Sequence, residues 1–380
     1  MSQQKRKVLI LMESMDKGGA EKVLLTLLSN INPLEYDINL LLYFGGGFYQ
    51  PQLPIYVKIE TLYTRGSLIS RLSLFLKRRL SIDWIYNYAL RRYKNIDFHV
   101  IISFMEGFPL LLHSFLTDNS KNNISWIHTD LLADHWTSSI IPFQFERDTY
   151  NKMNKLLFVS KNAQDNFIDL FSLNLADSDV FLNPIPRDQI RFDGSKISNT
   201  LFIENSFKIV SVGRLSTQKS FDLLISTIDL LVRRGNRVSL KIIGEGNLRD
   251  KLSEQIVSLG LSDCISLEGF FSNPYPIVAS ADLFVSSSFV EGYPLAMCEA
   301  LCLGIPFVAT RTAGSEAILD SGKYGLIVDH RVDSLADAIE SIILTPERYN
   351  YYKMMAVKRG DSFSIEQTLK RFESIIEGKD

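Results

Sequence analysis

Cysteine is scarce: Cys264, Cys298 and Cys302 are the whole complement of 380 residues, too few for a disulfide framework. Cys298 and Cys302 fall four apart on an expected helix with no further ligand nearby, so small buried thiols are expected there rather than a metal site. Histidine is nearly as rare, with five residues and no metal-ligand spacing among them. No apolar run is long enough to cross a bilayer. The start, MSQQKRKVLILMES, has a basic head and only a short apolar run before Glu13, which fits a solvated tail leading into a buried strand rather than a signal peptide. Nor is there an excess of one charge: 41 basic against 43 acidic residues leave a net charge of -2, which gives no support for nucleic-acid binding. The expected location is the cytoplasm, with a peripheral contact to the cytoplasmic face of the cell membrane left open.

What the chain does have is a globular composition, 46% apolar and 22% charged, at a length that suits two domains of roughly 150–200 residues each. Apolar strands alternate with helical periodicity. KVLILM precedes the Gly-rich turn and helix DKGGAEKVLLTLLSNI; DINLLLYF, FHVIISFM, NISWIH and KLLFVS follow as strands. The alternation restarts at FKIVSVGRL and continues through RVSLKIIGEG, CISLEGF, ADLFVSSS, IPFVAT and GLIVD, ending in a helical tail. Such alternation predicts two parallel sheets, each covered on both faces. The expected division is an N-terminal domain over 1–185, a polar linker over 186–206, a C-terminal domain over 207–360, and a last helix over 361–380 that packs back towards the first domain.

One segment breaks the charge balance. Residues 65–94 carry Arg71, Lys77, Arg78, Arg79, Arg91 and Arg92 among Leu68, Ile69, Leu72, Phe75, Trp84 and Tyr88, with Asp83 as the one acidic residue. A basic amphipathic stretch with interfacial aromatics suits a helix lying on anionic lipid; a core helix pair with a solvated basic rim has the same composition.

Parallel α/β domains bind ligands beyond the carboxyl ends of their strands. Gly18 and Gly19 follow the first strand, where a glycine turn and a helix N-terminus can take an anion or simply turn the chain. Arg214 and Lys219, in VGRLSTQKSFDLLI, are either solvated loop cations or a pair matched to a diphosphate. His128 ends a buried strand and is either structural or functional. Glu291 sits in the turn of SSSFVEGYPLAMCEAL, before a helix whose start tolerates Pro294. Glu299 lies on that helix among Met297, Cys298, Ala300 and Leu301; it either faces solvent or, if buried, needs partners such as paired ligand hydroxyls.

Together these residues resemble the retaining nucleotide-sugar glycosyltransferases of the family 4 type, which are α/β proteins of the GT-B fold, two Rossmann-like parallel-sheet domains facing across a cleft. The likeness runs over nearly the whole chain. Its most specific element is the Glu-x7-Glu from Glu291 to Glu299; the Arg214–Lys219 pair is second, and GGAEKV, FVSKNAQDNF and LNPIP support it. The resemblance implies that Arg214 and Lys219 clamp a diphosphate, that Glu299 accepts from ribose hydroxyls, and that Glu291 attends the donor sugar. It implies donor contacts from Gly18, Gly19, Gly244, Gly292, Tyr293, Pro294 and Leu295, with only the neighbours of Pro294 offering an N–H. It gives His128 the outer hydroxyls of the sugar.

No metal and no cofactor are implied beyond a nucleotide-diphosphate sugar, UDP-linked by preference. The implied reaction is hexosyl transfer with retention to a lipid-linked saccharide in bacterial capsule, exopolysaccharide, teichoic-acid or glycolipid assembly. Two competitors are a same-fold epimerase or hydrolase and a non-catalytic sugar-nucleotide-binding scaffold. The sequence departs from the family at RTAGSEAIL, where Ala313 and Gly314 precede Glu316, and at NPIPR before the linker. The first departure bears on donor-sugar contacts and the second on domain closure.

Overall fold

The structure, a computed structural model, describes residues 5–80, 82–173, 177–197 and 202–379. It divides into two compact units, one of Met1–Pro184 with Glu366–Asp380, the other of Ile185–Ile365.

The first unit holds a seven-stranded sheet of β1 (Arg6–Met12), β2 (Tyr36–Gly45), β3 (Lys58–Thr64), β4 (Val100–Ser103), β5 (Asn123–Ile127), β6 (Lys155–Phe158) and β7 (Ser178–Val180). Their order is β3-β2-β1-β4-β5-β6-β7, and every pairing is parallel. The central strands β4, β5 and β6 are buried at every position, which is why they read as mostly apolar with no in–out alternation. The edge strand β3, KIETLYT, keeps only Tyr63 buried and so carries no apolar pattern to read. The last helix, Ile365–Ile376, contributes Phe372, which packs on Trp126 and Phe181 of this unit, and Arg371, which pairs with Asp179.

The second unit holds six parallel strands: β8 (Phe207–Val212), β9 (Val238–Ile243), β10 (Ile265–Gly269), β11 (Leu283–Ser286), β12 (Phe307–Thr310) and β13 (Leu326–Val328). They are ordered β10-β9-β8-β11-β12-β13. In both units the chain order reverses beside the first strand, so the loops after β1 and β4, and those after β8 and β11, flank a topological switch point.

The expected linker 186–206 contains a helix, Arg187–Gly194, while its residues 198–201 lie outside the described residues. Ile190 is its one buried side chain, so it has no apolar period to betray it. Arg191 anchors it in the second unit, donating to the Cys302 carbonyl at 2.8 Å and pairing with Asp361 at 2.7 Å.

Candidate active site

In the second unit, Lys219 closes a short 3-10 turn, Thr217–Lys219, and the next residue, Ser220, takes a left-handed conformation (φ 46°) before the helix Phe221–Arg233. That turn swings the Lys219 side chain over the loop after β11, where its ammonium group pairs with the Glu291 carboxylate. Ser288 Oγ donates to the same Glu291 oxygen at 2.7 Å. Ser287 Oγ donates to the Lys219 carbonyl at 2.9 Å, and the Phe289 amide donates to the Gln218 carbonyl at 2.8 Å, so the two loops are laced together. Thr310 Oγ1 braces the Ser288 carbonyl at 2.6 Å from β12. Both members of the ion pair stay partly open to solvent, with side-chain exposures of 22% and 14%. Arg214 is exposed and, among the described residues, its side chain makes no hydrogen bond or ion pair, its carbonyl accepting from the Ser216 amide at 2.8 Å.

Glu299 is buried on the helix Leu295–Cys302 and accepts from the Tyr275 hydroxyl at 3.2 Å. Pro294 caps that helix in extended conformation. Gly292 and Leu295 are half-buried beside it, whereas Tyr293 is core, its phenol bonded to the Cys298 thiol and pushed far up by burial. Tyr293 therefore has only its backbone to offer a ligand. Gly314, in the departing turn RTAGSEAIL, donates its amide to the Glu291 carbonyl at 3.0 Å, and a Cβ there would run into the Pro294 ring. That turn needs its glycine to back the Glu291 loop.

Gly244, grouped with the donor contacts on sequence, has another structural reason. Its amide already donates to the Gly269 carbonyl at 2.8 Å, its φ is 147°, and a Cβ would collide with the Gly213 carbonyl. The glycine lets the end of β9 pass the loop carrying Arg214, and its N–H is spent within the protein.

In the first unit, Gly18 caps the helix Gly19–Asn30, and a Cβ on it would collide with the Glu21 carboxylate folded over that first turn. His128 follows β5 directly. Its ring stacks on Trp126 at 5.2 Å and lies 5.2 Å from Phe104. Burial drives its pKa down to about 3, against a hydrogen bond to the Phe104 backbone, so the imidazole is neutral. Its Nε2 is buried with no partner among the described residues. His113, by contrast, is structural: its ring lies between Ser103 Oγ and Asn123 Oδ1, each at 3.1 Å. His135 pairs with buried Glu146 at 2.9 Å.

Sequence reasoning missed Glu106, Ser288 and Tyr275. Ser288 sits in a serine run that reads as strand end, and Tyr275 follows a proline at the start of the short helix Tyr275–Ala279. No metal-holding group of three or more His, Cys, Asp or Glu side chains exists among the described residues.

The basic segment folds as the helices Leu68–Leu80 and Trp84–Ala89. Leu68 (80% exposed), Ile69, Leu72, Phe75 (56%), Trp84 (64%) and Tyr88 all face out, and Arg71, Arg78, Arg79, Arg91 and Arg92 are exposed around them. Lys77 is the exception to the expected membrane-facing set. It is buried, bound to Asp83 at 2.8 Å, with its ammonium group 3.9 Å from the centre of the Phe145 ring, because it lies on the same helix face as buried Ser70 and Ser73. Among the described residues no helix is long and apolar enough to cross a membrane.

Residues 194–359 match the family model for glycosyl transferases group 1. Over 365 residues the chain is 25% identical to the N-acetylgalactosamine-N,N'-diacetylbacillosaminyl-diphospho-undecaprenol 4-alpha-N-acetylgalactosaminyltransferase of Campylobacter jejuni, covering 94% of this chain and 96% of that one. A shorter match, 31% identical over 156 residues, covers 39% of this chain and 32% of the poly(ribitol-phosphate) alpha-N-acetylglucosaminyltransferase of Staphylococcus aureus. The crystal structure of Anabaena HepE in complex with UDP and glucose superimposes with a TM-score of 0.81 at 19% identity, covering 98% of this chain and all of that one. A glycosyltransferase from Rickettsia africae does so with 0.75 at 15% identity, over 99% of each chain. With a match to the glycosyl transferases group 1 model over 194–359 and two parallel-sheet Rossmann-like units, the chain has a GT-B-like fold and is similar to nucleotide-sugar-dependent glycosyltransferases.

Proposed function

We propose that the chain transfers a hexosyl group from a UDP-sugar to a hydroxyl of a lipid-linked saccharide, with retention, as a family 4 type enzyme in bacterial glycan assembly. The observation that carries the reading is the Lys219–Glu291 pair at the switch point of the second unit, with unpaired Arg214 on the neighbouring loop. A cation already held by a carboxylate, next to a second cation without one, suits a group that gains negative charge during reaction. Arg214 and Lys219 stabilise the departing diphosphate. Glu291 orients the sugar and supports positive charge at its anomeric carbon. Glu299, steadied by Tyr275, accepts from the ribose hydroxyls. The acceptor oxygen bonds to the anomeric carbon as the carbon–phosphate oxygen bond breaks, and the leaving phosphate takes the acceptor's proton. In the first unit the Gly18–Gly19 turn and His128 are assigned the remaining contacts to the substrate.

The UDP preference is supported by the neighbour whose structure holds UDP and glucose. The lipid-linked acceptor is supported by the Campylobacter relative, named for a diphospho-undecaprenol substrate, and by the exposed apolar and arginine-rich helices. Those helices also support a peripheral position on the cytoplasmic face of the membrane. The test is a panel of UDP-, GDP- and dTDP-sugars, followed by release of the nucleoside diphosphate with and without bacterial lipid extract. Turnover of one UDP-sugar that depends on lipid is expected. Equal turnover without lipid would place the protein with the hydrolases, and no turnover or nucleotide binding would make it a scaffold.

A further inference from the structure

His128 stands just past β5, so whatever grips that turn decides where its free Nε2 points. The grip comes from Glu106. Its Oε1 accepts from the His128 amide at 3.1 Å, the Thr129 amide at 2.8 Å and Thr129 Oγ1 at 2.6 Å. Glu106 follows β4, which pairs with both β1 and β5, so one carboxylate ties together two adjacent strand ends beside the switch point. Thr129 Oγ1 also accepts from Trp136 Nε1 at 3.3 Å, and Trp136 packs tightly over Gly107, where a Cβ would crowd its ring. The carboxyl group is fully buried, and that burial raises its pKa while the three donors pull the other way. A buried carboxyl is costly unless hydrogen bonds compensate it. Here all of those bonds converge on two residues, His128 and Thr129. The imidazole they carry is flanked by Trp126 and Phe104 and tied to the Phe104 backbone, with Nε2 left as a buried acceptor lacking a donor. A neutral ring in that state can receive a hydroxyl proton in a hydrogen bond and has none of its own to give at Nε2.

We propose that Glu106 is a positioning residue for sugar transfer: by holding the His128–Thr129 turn through Oε1 it aims His128 Nε2 at a hydroxyl of the sugar substrate. The inference rests on the reading of His128 given above. Glu106 itself touches no substrate, and no proton moves through it.

The test is a double-mutant cycle on the full chain with UDP-N-acetylgalactosamine, UDP-N-acetylglucosamine, UDP-glucose and UDP-galactose, read as UDP release in the presence of bacterial lipid extract. For the sugar turned over, His128→Ala and Glu106→Ala should each lower kcat about 100-fold with little change in KM, the size expected of a misplaced contact. The double variant should be no worse than either single one. Glu106→Gln should stay within about threefold of the parent, because its amide oxygen accepts the same bonds. Losses that multiply in the double variant, or a fully active Glu106→Ala, would overturn the proposal. A fully active His128→Ala would instead sink the reading of His128. Should Glu106→Ala fail to fold, Thr129→Val removes one donor, and a kcat loss that vanishes in the His128→Ala background is expected; no loss overturns the proposal. Independently of turnover, the 15N signal of His128 Nε2 should be unchanged in Glu106→Gln and shifted in Thr129→Val and Glu106→Ala. A signal unmoved in both of the latter would count against it equally.

Discussion

The Lys219–Glu291 pair ties two loops that are far apart in sequence, and each charge holds the other in place. Under the proposed roles, Lys219→Ala should lower kcat by about 100- to 1000-fold while the melting temperature changes little, since the pair is partly solvated. Glu299 does a different job. Replacing it with Gln removes a charged acceptor, so nucleotide affinity should fall roughly 10- to 100-fold, measured by calorimetric titration with UDP, while the helix Leu295–Cys302 stays folded. Arg214, Lys219, Glu291 and Glu299 stood out in the sequence through the family resemblance, and the structure puts them on the loops and helix that follow β8 and β11. Glu106 was not legible. It sits 22 positions before His128 in an apolar stretch, and only the pairing of β4 with β5 brings its carboxylate to that turn. Gly244, given a donor contact by the resemblance, has in addition a structural reason to be glycine: its backbone serves the crossing of two loops.

At the scale of elements, the helix Leu68–Leu80 is where pattern and structure part. The composition announced an amphipathic basic helix, but nothing in it said which face is buried. The structure buries Ser70, Ser73 and Lys77 and leaves Leu68, Ile69, Leu72 and Phe75 outside. The serines tolerate burial because Ser70 Oγ donates to the Ser67 carbonyl at 2.8 Å and Ser73 Oγ to the Ser70 carbonyl at 2.9 Å. Lys77 tolerates it through Asp83 and the ring of Phe145. An apolar face turned outward beside arginines is complementary to an anionic lipid surface. Replacing Arg78, Arg79, Arg91 and Arg92 with Ser should weaken binding to phosphatidylglycerol vesicles by about 1 kcal/mol per charge, and Leu72→Ser with Phe75→Ser should weaken it on neutral vesicles too. Unchanged sedimentation with vesicles in both sets would refute the membrane assignment. The strand β3 and the helix Arg187–Gly194 escaped the sequence for one shared reason: each buries a single side chain, which leaves no period to detect.

Across the whole molecule, the two parallel sheets were legible because their central strands are buried on both faces, and their order puts the loops of interest at switch points. Burial also sets a pH response in the first unit. His113, neutral in its pocket with a pKa pushed down to about 4, takes up a proton more readily when unfolded. Stability from this group is therefore fully present above the ordinary histidine value of about 6.5 and lost as pH falls towards 4, on the order of a few kcal/mol. Glu106 and Glu146, whose pKa values burial raises, act in the opposite sense, favouring the fold as pH falls. Thermal melts of His113→Asn should show a flatter fall than the parent protein between pH 6.5 and 4. The most direct test of the central claim is transfer itself. Radiolabelled sugar from the UDP-sugar that the donor panel identifies should appear in the organic-extractable lipid fraction with the parent protein and vanish with Lys219→Ala. Label that stays in the aqueous phase as free sugar, at equal rates with and without lipid, would contradict it.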